Sequence, residues 1–160
     1  MFKRAFTLVE LLVVIGIISI LASTVVVNVS KSRNRARDAR RKADLKTVQT
    51  SLETFNDENG SYPTTINAWV SEVGNANWIP GLIPNFLVVL PTDPTRRFTA
   101  GLTECSGITA AGYAYRSDGT NYKLIAACTV ETTVQPNDPF RDPAGRPSSY
   151  AIYSSQGISF

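Results

Sequence analysis

Histidine is absent from this 160-residue chain. That removes the commonest side-chain base at neutral pH and the commonest metal ligand, so catalytic triads and zinc sites built on histidine are excluded. Cysteine occurs only twice, at Cys105 and Cys128, too few for an all-cysteine zinc site. No glycine-rich phosphate loop and no compact pair of carboxylates can be read, so the chain is taken as non-enzymatic and free of cofactors. Charge is sparse, at 18% of residues against 43% hydrophobic. Proline is missing before Pro63, and glycine occurs before Gly60 only at Gly16. A long stretch without helix breakers therefore precedes a segment that holds all nine prolines and has the composition of a small folded head.

The first part of that stretch is a near-continuous apolar run over residues 6–29, preceded by Lys3 and Arg4 and interrupted by one carboxylate, Glu10. About 20 apolar residues suffice to cross a bilayer as a helix. An ionisable group at membrane depth is costly, and its default reading is a functional group with a partner. Beyond the run, Lys31, Arg33, Arg35, Arg37, Arg40, Arg41 and Lys42 form a basic block broken by Asp38. This block carries the net charge of +3 and leaves the remainder slightly acidic. Good helix formers continue past it, and the apolar positions narrow to a stripe of Ala36, Ala39 and Ala43, then Leu45, Val48, Leu52 and Phe55. The last four keep the 3–4–3 spacing of one helix face. Asn59-Gly60 supplies a left-handed cap and Pro63 forbids resumption. One helix is expected from about residue 6 to 58, roughly 80 Å at 1.5 Å per residue.

Three readings of the N-terminus compete. A secretory signal would be cut after Ala22, and a simple membrane anchor would stay uncut; neither has a use for Glu10. The third rests on the phrase Ala5-Phe6-Thr7-Leu8-Val9-Glu10-Leu11-Leu12. It resembles the class III signal of type IV pilins and type II secretion pseudopilins. The resemblance implies cutting between Ala5 and Phe6 by a prepilin peptidase and methylation of the new amine. It also implies that Glu10 pairs with the N-terminus of a neighbouring subunit, which sets the register of assembly. The sequence departs from the family in having Ala5 where glycine is usual and in lacking a proline within the apolar half; the second departure leans toward pseudopilins or atypical pilins. The positive-inside rule compares two basic residues with seven and favours the opposite orientation; the resemblance implies that the leader stays cytoplasmic and the head is exported.

The implied organisation is a leader over residues 1–5, a membrane and filament-core half-helix over 6–29, an amphipathic half-helix over 30–59 and a head over 60–160. The fold expected is α+β, a pilin fold with the long helix packed on a small antiparallel sheet. The function expected is a structural subunit of a type IV pilus or pilus-like filament. The alternatives are a type II secretion pseudopilin and, from a different class, a monomeric membrane-tethered binding domain. Self-assembly, the peptidase, the membrane before assembly, an assembly ATPase and a platform protein are the partners implied by the resemblance. The localisation is the cytoplasmic membrane as a single pass with the head outside, then a periplasmic or extracellular filament.

Within the head, Asp118-Gly119 between residues 112–116 and 122–129 signals a hairpin, and residues 149–154 read as a last strand. Short helices are expected over residues 65–73 and within 78–91, where Pro84 suits a first turn. Two cysteines behind an export-type N-terminus read as one disulfide, Cys105–Cys128, with buried free thiols as the alternative. Asp138 and Asp142 form a candidate calcium loop by comparison with major pseudopilins, although two carboxylates supply few of the six to eight oxygens that calcium takes. Arg96, Arg97, Arg141 and Arg146 are candidate DNA contacts, but scattered rather than clustered. Trp69 and Trp78 read as core or subunit contacts.

Overall fold

The computed structural model describes residues 6–95, 111–146 and 148–160, and within the first helix the backbone alone for 22–28. The first helix, α1, is continuous from Leu8 to Asn59. It ends as its sequence dictates: Gly60 adopts φ 74° and donates its N–H to the Asn56 carbonyl at 2.7 Å. By compactness the chain divides into a unit ending at Arg35 and a second unit, Ala36–Phe160.

In the first unit the described apolar side chains of α1 are exposed. Leu8, Val9, Ile15 and Ile20 are all more than half exposed. Among the described residues no helix is long and apolar enough to cross a membrane. The side chains of 22–28, where the apolar run continues in the sequence, lie outside the description.

In the second unit the C-terminal part of α1 is the spine of a four-stranded antiparallel meander. The strands are β1 (Val70–Ser71), β2 (Gly112–Ser117), β3 (Tyr122–Ala127) and β4 (Tyr150–Tyr153), hydrogen-bonded in the order β1-β2-β3-β4. The expected hairpin is present: Tyr115 faces Leu124, Ser117 faces Tyr122, and Gly119 takes φ 95° in the connection. Strand alternation divides the side chains between two faces. Tyr113 and Tyr115 of β2, Leu124 and Ala126 of β3 and Ile152 of β4 join Leu45, Val48 and Leu52 of α1 in the main core. Ala114, Ile125, Ala127 and Ala151 form a second cluster behind the sheet, with Trp69 and Tyr153 against it. Burial on both faces explains why β3 reads as an unbroken apolar run after Lys123.

Two expected helices are absent, for local reasons. Residues 65–73 contain a turn followed by β1. The Thr64 hydroxyl accepts from the Ile66 N–H, and that of Thr65 donates to the Ala68 carbonyl. Both backbone N–H groups of Thr65 and Asn67 donate to Ser117 O. Side-chain and sheet partners have displaced the helical ones. Over 78–91 the chain is a run of turns. Gly81 has φ 75°, Pro84 brings no N–H, and the N–H groups of Phe86 and Leu87 both turn back on the Leu82 carbonyl, so a single turn forms in place of a helical ladder. The segment still delivers Trp78, Ile79, Leu82 and Leu90 to the core, and the Phe86 ring packs tilted against Phe55 with ring centroids 5.0 Å apart.

Candidate assembly site

At the head of α1, Thr7 and Glu10 cap each other. The Thr7 hydroxyl accepts from the Glu10 N–H at 3.2 Å, while Glu10 Oε2 accepts from the Thr7 N–H at 2.9 Å and from its hydroxyl at 2.8 Å. This Thr-x-x-Glu capping box satisfies two donors of the first turn, and the carboxylate lies at the positive end of the helix dipole. All three bonds are within three residues and exposed. The two bonds that the carboxylate accepts fall on Oε2, which leaves Oε1 to an acceptor role toward another molecule. The sequence reading missed the cap although Thr7 stands in it. Phe6 beside the cap is 79% exposed; Ala5, the other half of the expected junction, lies outside the described residues.

The basic block has two fates. In the second unit three of its cations turn inward. Arg41 is fully buried. Its guanidinium grips Asp93 through two bonds of 2.7 and 3.0 Å, and donates to Asp38 at 2.7 Å and to Thr95 Oγ1 at 2.8 Å. Burial disfavours the Arg41 cation, yet Asp93 and Asp38 hold its pKa well above the ordinary arginine value. Asp93 shows the same balance: burial alone raises its pKa, but the bonds from Arg41 and Thr95 bring it below the usual carboxylate value. Asp38 also accepts the N–H groups of Glu131 and Thr132 at 3.1 and 2.8 Å. Arg37 pairs with Glu131 and Lys42 with Asp138 at 2.6 Å. Lys31, Arg33, Arg35 and Arg40 are exposed.

Phenols add a second set of tethers to α1. Tyr113 donates to Asp44 at 2.8 Å, and Tyr62 and Tyr122 donate to the two oxygens of Glu53 at 2.8 and 2.9 Å. Burial first and Glu53 second push Tyr62 up to about 12. Sequence reasoning gave Asp38 and Arg41 only as parts of the basic block and assigned no role to Glu72, Asp93 or Lys123. Glu72 is a buried carboxylate on the backbone N–H groups of Asp93 and Tyr113.

Of the other candidate residues, Asp142 is buried between Lys123 at 2.9 Å and Arg146 at 2.7 Å. Burial alone raises its pKa, but those two cations bring it below the usual carboxylate range. Asp138 is taken by Lys42. A calcium ion on this loop would have to displace cations from both carboxylates, and no group of three or more metal-ligating side chains exists among the described residues. Arg146 is buried on Asp142 with its guanidinium 5.7 Å from the Trp69 ring, while Arg141 is exposed; Arg96 and Arg97 lie outside the described residues. So does Cys105, and with it the expected disulfide; Cys128 donates its N–H to Ser149 Oγ at 3.0 Å. Trp78 is a core residue and Trp69 packs behind the sheet.

A helix that is exposed and apolar in its first part, and in its second the spine of an antiparallel meander, is the architecture of the pilin fold. A family model, the prokaryotic N-terminal methylation motif, matches residues 1–26. The chain belongs to the type IV pilin and type II secretion pseudopilin family. It is 34% identical over 99 residues to the type II secretion system core protein G of Pseudomonas aeruginosa, covering 58% of this chain and 68% of that one. To the core protein G of Escherichia coli it is 34% identical over 97 residues, 58% of this chain and 66% of the relative, just under two thirds of that protein's length. The type IV major pilin protein PilA of Myxococcus xanthus is 35% identical over 75 residues, 46% of this chain and 34% of that pilin. No solved structure matches the chain.

Proposed function

We propose that the chain is a structural subunit of a pilus-like filament, assembled through the N-terminal part of α1. The observation that carries the reading is Glu10, a carboxylate with one open oxygen at the head of an exposed apolar helix. Cutting between Ala5 and Phe6 creates an ammonium at Phe6. Glu10 of one subunit accepts from the amine of the next, so that two charges enter an apolar filament core only as a pair. The exposed apolar side chains give the driving force, since each subunit outside lipid would leave them in water. Before assembly the apolar run spans the membrane once, and the head is exported, where Cys105 and Cys128 form a disulfide. The role is structural rather than catalytic: Arg41 holds Asp38 and Asp93, and Lys123 and Arg146 hold Asp142. An assembly ATPase and a platform protein are the machinery such a subunit needs. Two relatives named core protein G each cover more of this chain than the pilin does, which favours the pseudopilus form of filament.

The test is the intact mass and N-terminal sequence of the chain from its native membrane or filaments, followed by Glu10→Ala. A chain that begins at N-methylated Phe6 and no longer assembles as Glu10→Ala is the expected result. A start at Ser23, an uncut Met1 in cells that hold the peptidase, or filaments formed normally by Glu10→Ala would overturn it.

A further inference from the structure

We propose that Asn59 is an acceptor for N-linked glycosylation and that a polar cleft beside it seats the first sugars. The sequence holds two Asn-x-Ser phrases, Asn28-Val29-Ser30 and Asn59-Gly60-Ser61; such a phrase marks an acceptor where it lies on an exported surface turn. The two differ in setting. Asn28 to Ser30 is interior helix, so its backbone is closed to an enzyme that must take the acceptor in a bent or extended form. Asn59 is the last residue of α1. Asn59, Gly60 and Ser61 are all exposed, and Gly60 turns the chain sharply with φ 74°. The one bond of the acceptor amide, Asn59 Nδ2 to the Phe55 carbonyl at 2.8 Å, is in a terminal helical turn, the part of a helix that opens most readily.

The second observation is the cleft. It measures about 680 Å³ and is lined by Asn56, Gly60, Ser61, Thr120, Asn121 and Gln156 among others. Pockets for drug-like ligands are mostly apolar. This one presents hydroxyl, amide and backbone groups, the donors and acceptors that a polyhydroxylated ring pairs with. A saccharide on Asn59 starts one residue from that lining.

The step balances without redox chemistry. Asn59 Nδ2 bonds to the anomeric carbon of a lipid-pyrophosphate-linked oligosaccharide, and the carbon–oxygen bond to the pyrophosphate breaks. The lipid pyrophosphate leaves with the electron pair, and the amide proton passes through the enzyme's carboxylate to water. In the cell the modification rests on the proposed export of the head. The test avoids that dependence by using purified full-length chain in detergent micelles, with a bacterial oligosaccharyltransferase and its lipid-linked oligosaccharide, read by intact mass and glycopeptide mapping. One glycan on the Asn59 peptide is expected. Its occupancy falls at least tenfold in Ser61→Ala, stays within twofold of the parent in Ser61→Thr, and is unchanged in Ser30→Ala. An unmodified Asn59, a glycan on Asn28 instead, or equal occupancy in Ser61→Ala and Ser30→Ala would overturn the proposal.

Discussion

Replacing Arg41 by alanine removes the one cation that Asp38 and Asp93 share, and its cost can be worked from the contacts. Arg41 and both carboxylates are buried, so removing the guanidinium leaves negative charge without a counter-ion in the interior. Breaking a buried pair from one side costs about 3–5 kcal/mol. Asp38 keeps Thr132 Oγ1 and two backbone N–H groups, and Asp93 keeps the N–H and hydroxyl of Thr95. These remaining partners place the expected loss near 3 kcal/mol rather than 5. In a unit of about 125 residues that lowers Tm by about 9–15 °C, at about 3–5 °C for each kcal/mol. Arg41→Lys retains charge but cannot span two carboxylates with a planar fork, so it falls between parent and alanine. Arg41→Met with Asp38→Asn and Asp93→Asn removes the charges together and leaves an amide oxygen to accept the N–H groups of Glu131, Thr132 and Thr95, so it recovers part of the loss. The assay is thermal and urea unfolding of the full chain in detergent, followed by near-ultraviolet circular dichroism of the Trp78–Tyr113 stack, whose rings lie 6.2 Å apart. A loss under about 1 kcal/mol for Arg41→Ala, or a triple variant less stable than the single one, would refute the reasoning.

Acid tests the same groups from the other side. Asp93 and Asp142 are both held below their ordinary value of 3.8, so the stability they contribute is fully present above that value and is lost as pH falls through the lower folded values. The urea midpoint of the full chain is expected to be level from about pH 7 to pH 5 and to drop below about pH 4; a midpoint that rises on acidification contradicts the assignment. Gly157→Ala is expected to cost about 2–3 kcal/mol, because its Cβ would stand 2.0 Å from the Tyr122 carbonyl oxygen, a backbone atom that cannot swing away. A change below about 0.5 kcal/mol in the urea midpoint shows that the turn yields more easily than its packing implies.

The parts of the fold legible in the sequence are those decided within a few residues or by apolar period. Leu45, Val48, Leu52 and Phe55 announce their face by spacing alone, Asn59-Gly60 announces the helix end, and Asp118-Gly119 announces the hairpin. The two missed segments are decided by partners far along the chain. Thr65 and Asn67 bend toward Ser117 O, and residues 78–91 are held by what their side chains fill rather than by their own ladder. At the candidate assembly site Glu10 was legible as an anomaly of type, a carboxylate in an apolar run. Its cap on Thr7 was equally available, because Thr-x-x-Glu before an apolar stretch is the signature of a capping box.

The basic block was the misleading feature, and the reason lies in periodicity. A count of apolar residues ends the buried face of α1 at Leu45, because Ala36, Ala39 and Ala43 are exposed. The buried face in fact continues through Arg41 to Asp38, so that residues 38, 41, 45, 48, 52 and 55 keep one unbroken 3–4–3–4–3 spacing. Its last turn is buried by neutralisation instead of by apolarity: Arg41 and Asp38 pair with each other, and each finds a further partner on a loop, Asp93 for Arg41 and the N–H groups of Glu131 and Thr132 for Asp38. A helix face of leucine and valine alone packs nearly as well after sliding one turn. A guanidinium that must meet two carboxylates does not, because the slid arrangement buries ions without partners. The ion cluster therefore contributes less to the stability of the head than to its register on α1. Under the proposed function the N-terminal half of the helix is placed by a charge pair of its own, between Glu10 and the amine of a neighbouring subunit. Each half of one continuous helix then carries an apolar surface that supplies attraction, and a small set of charges that decides where the attraction is satisfied.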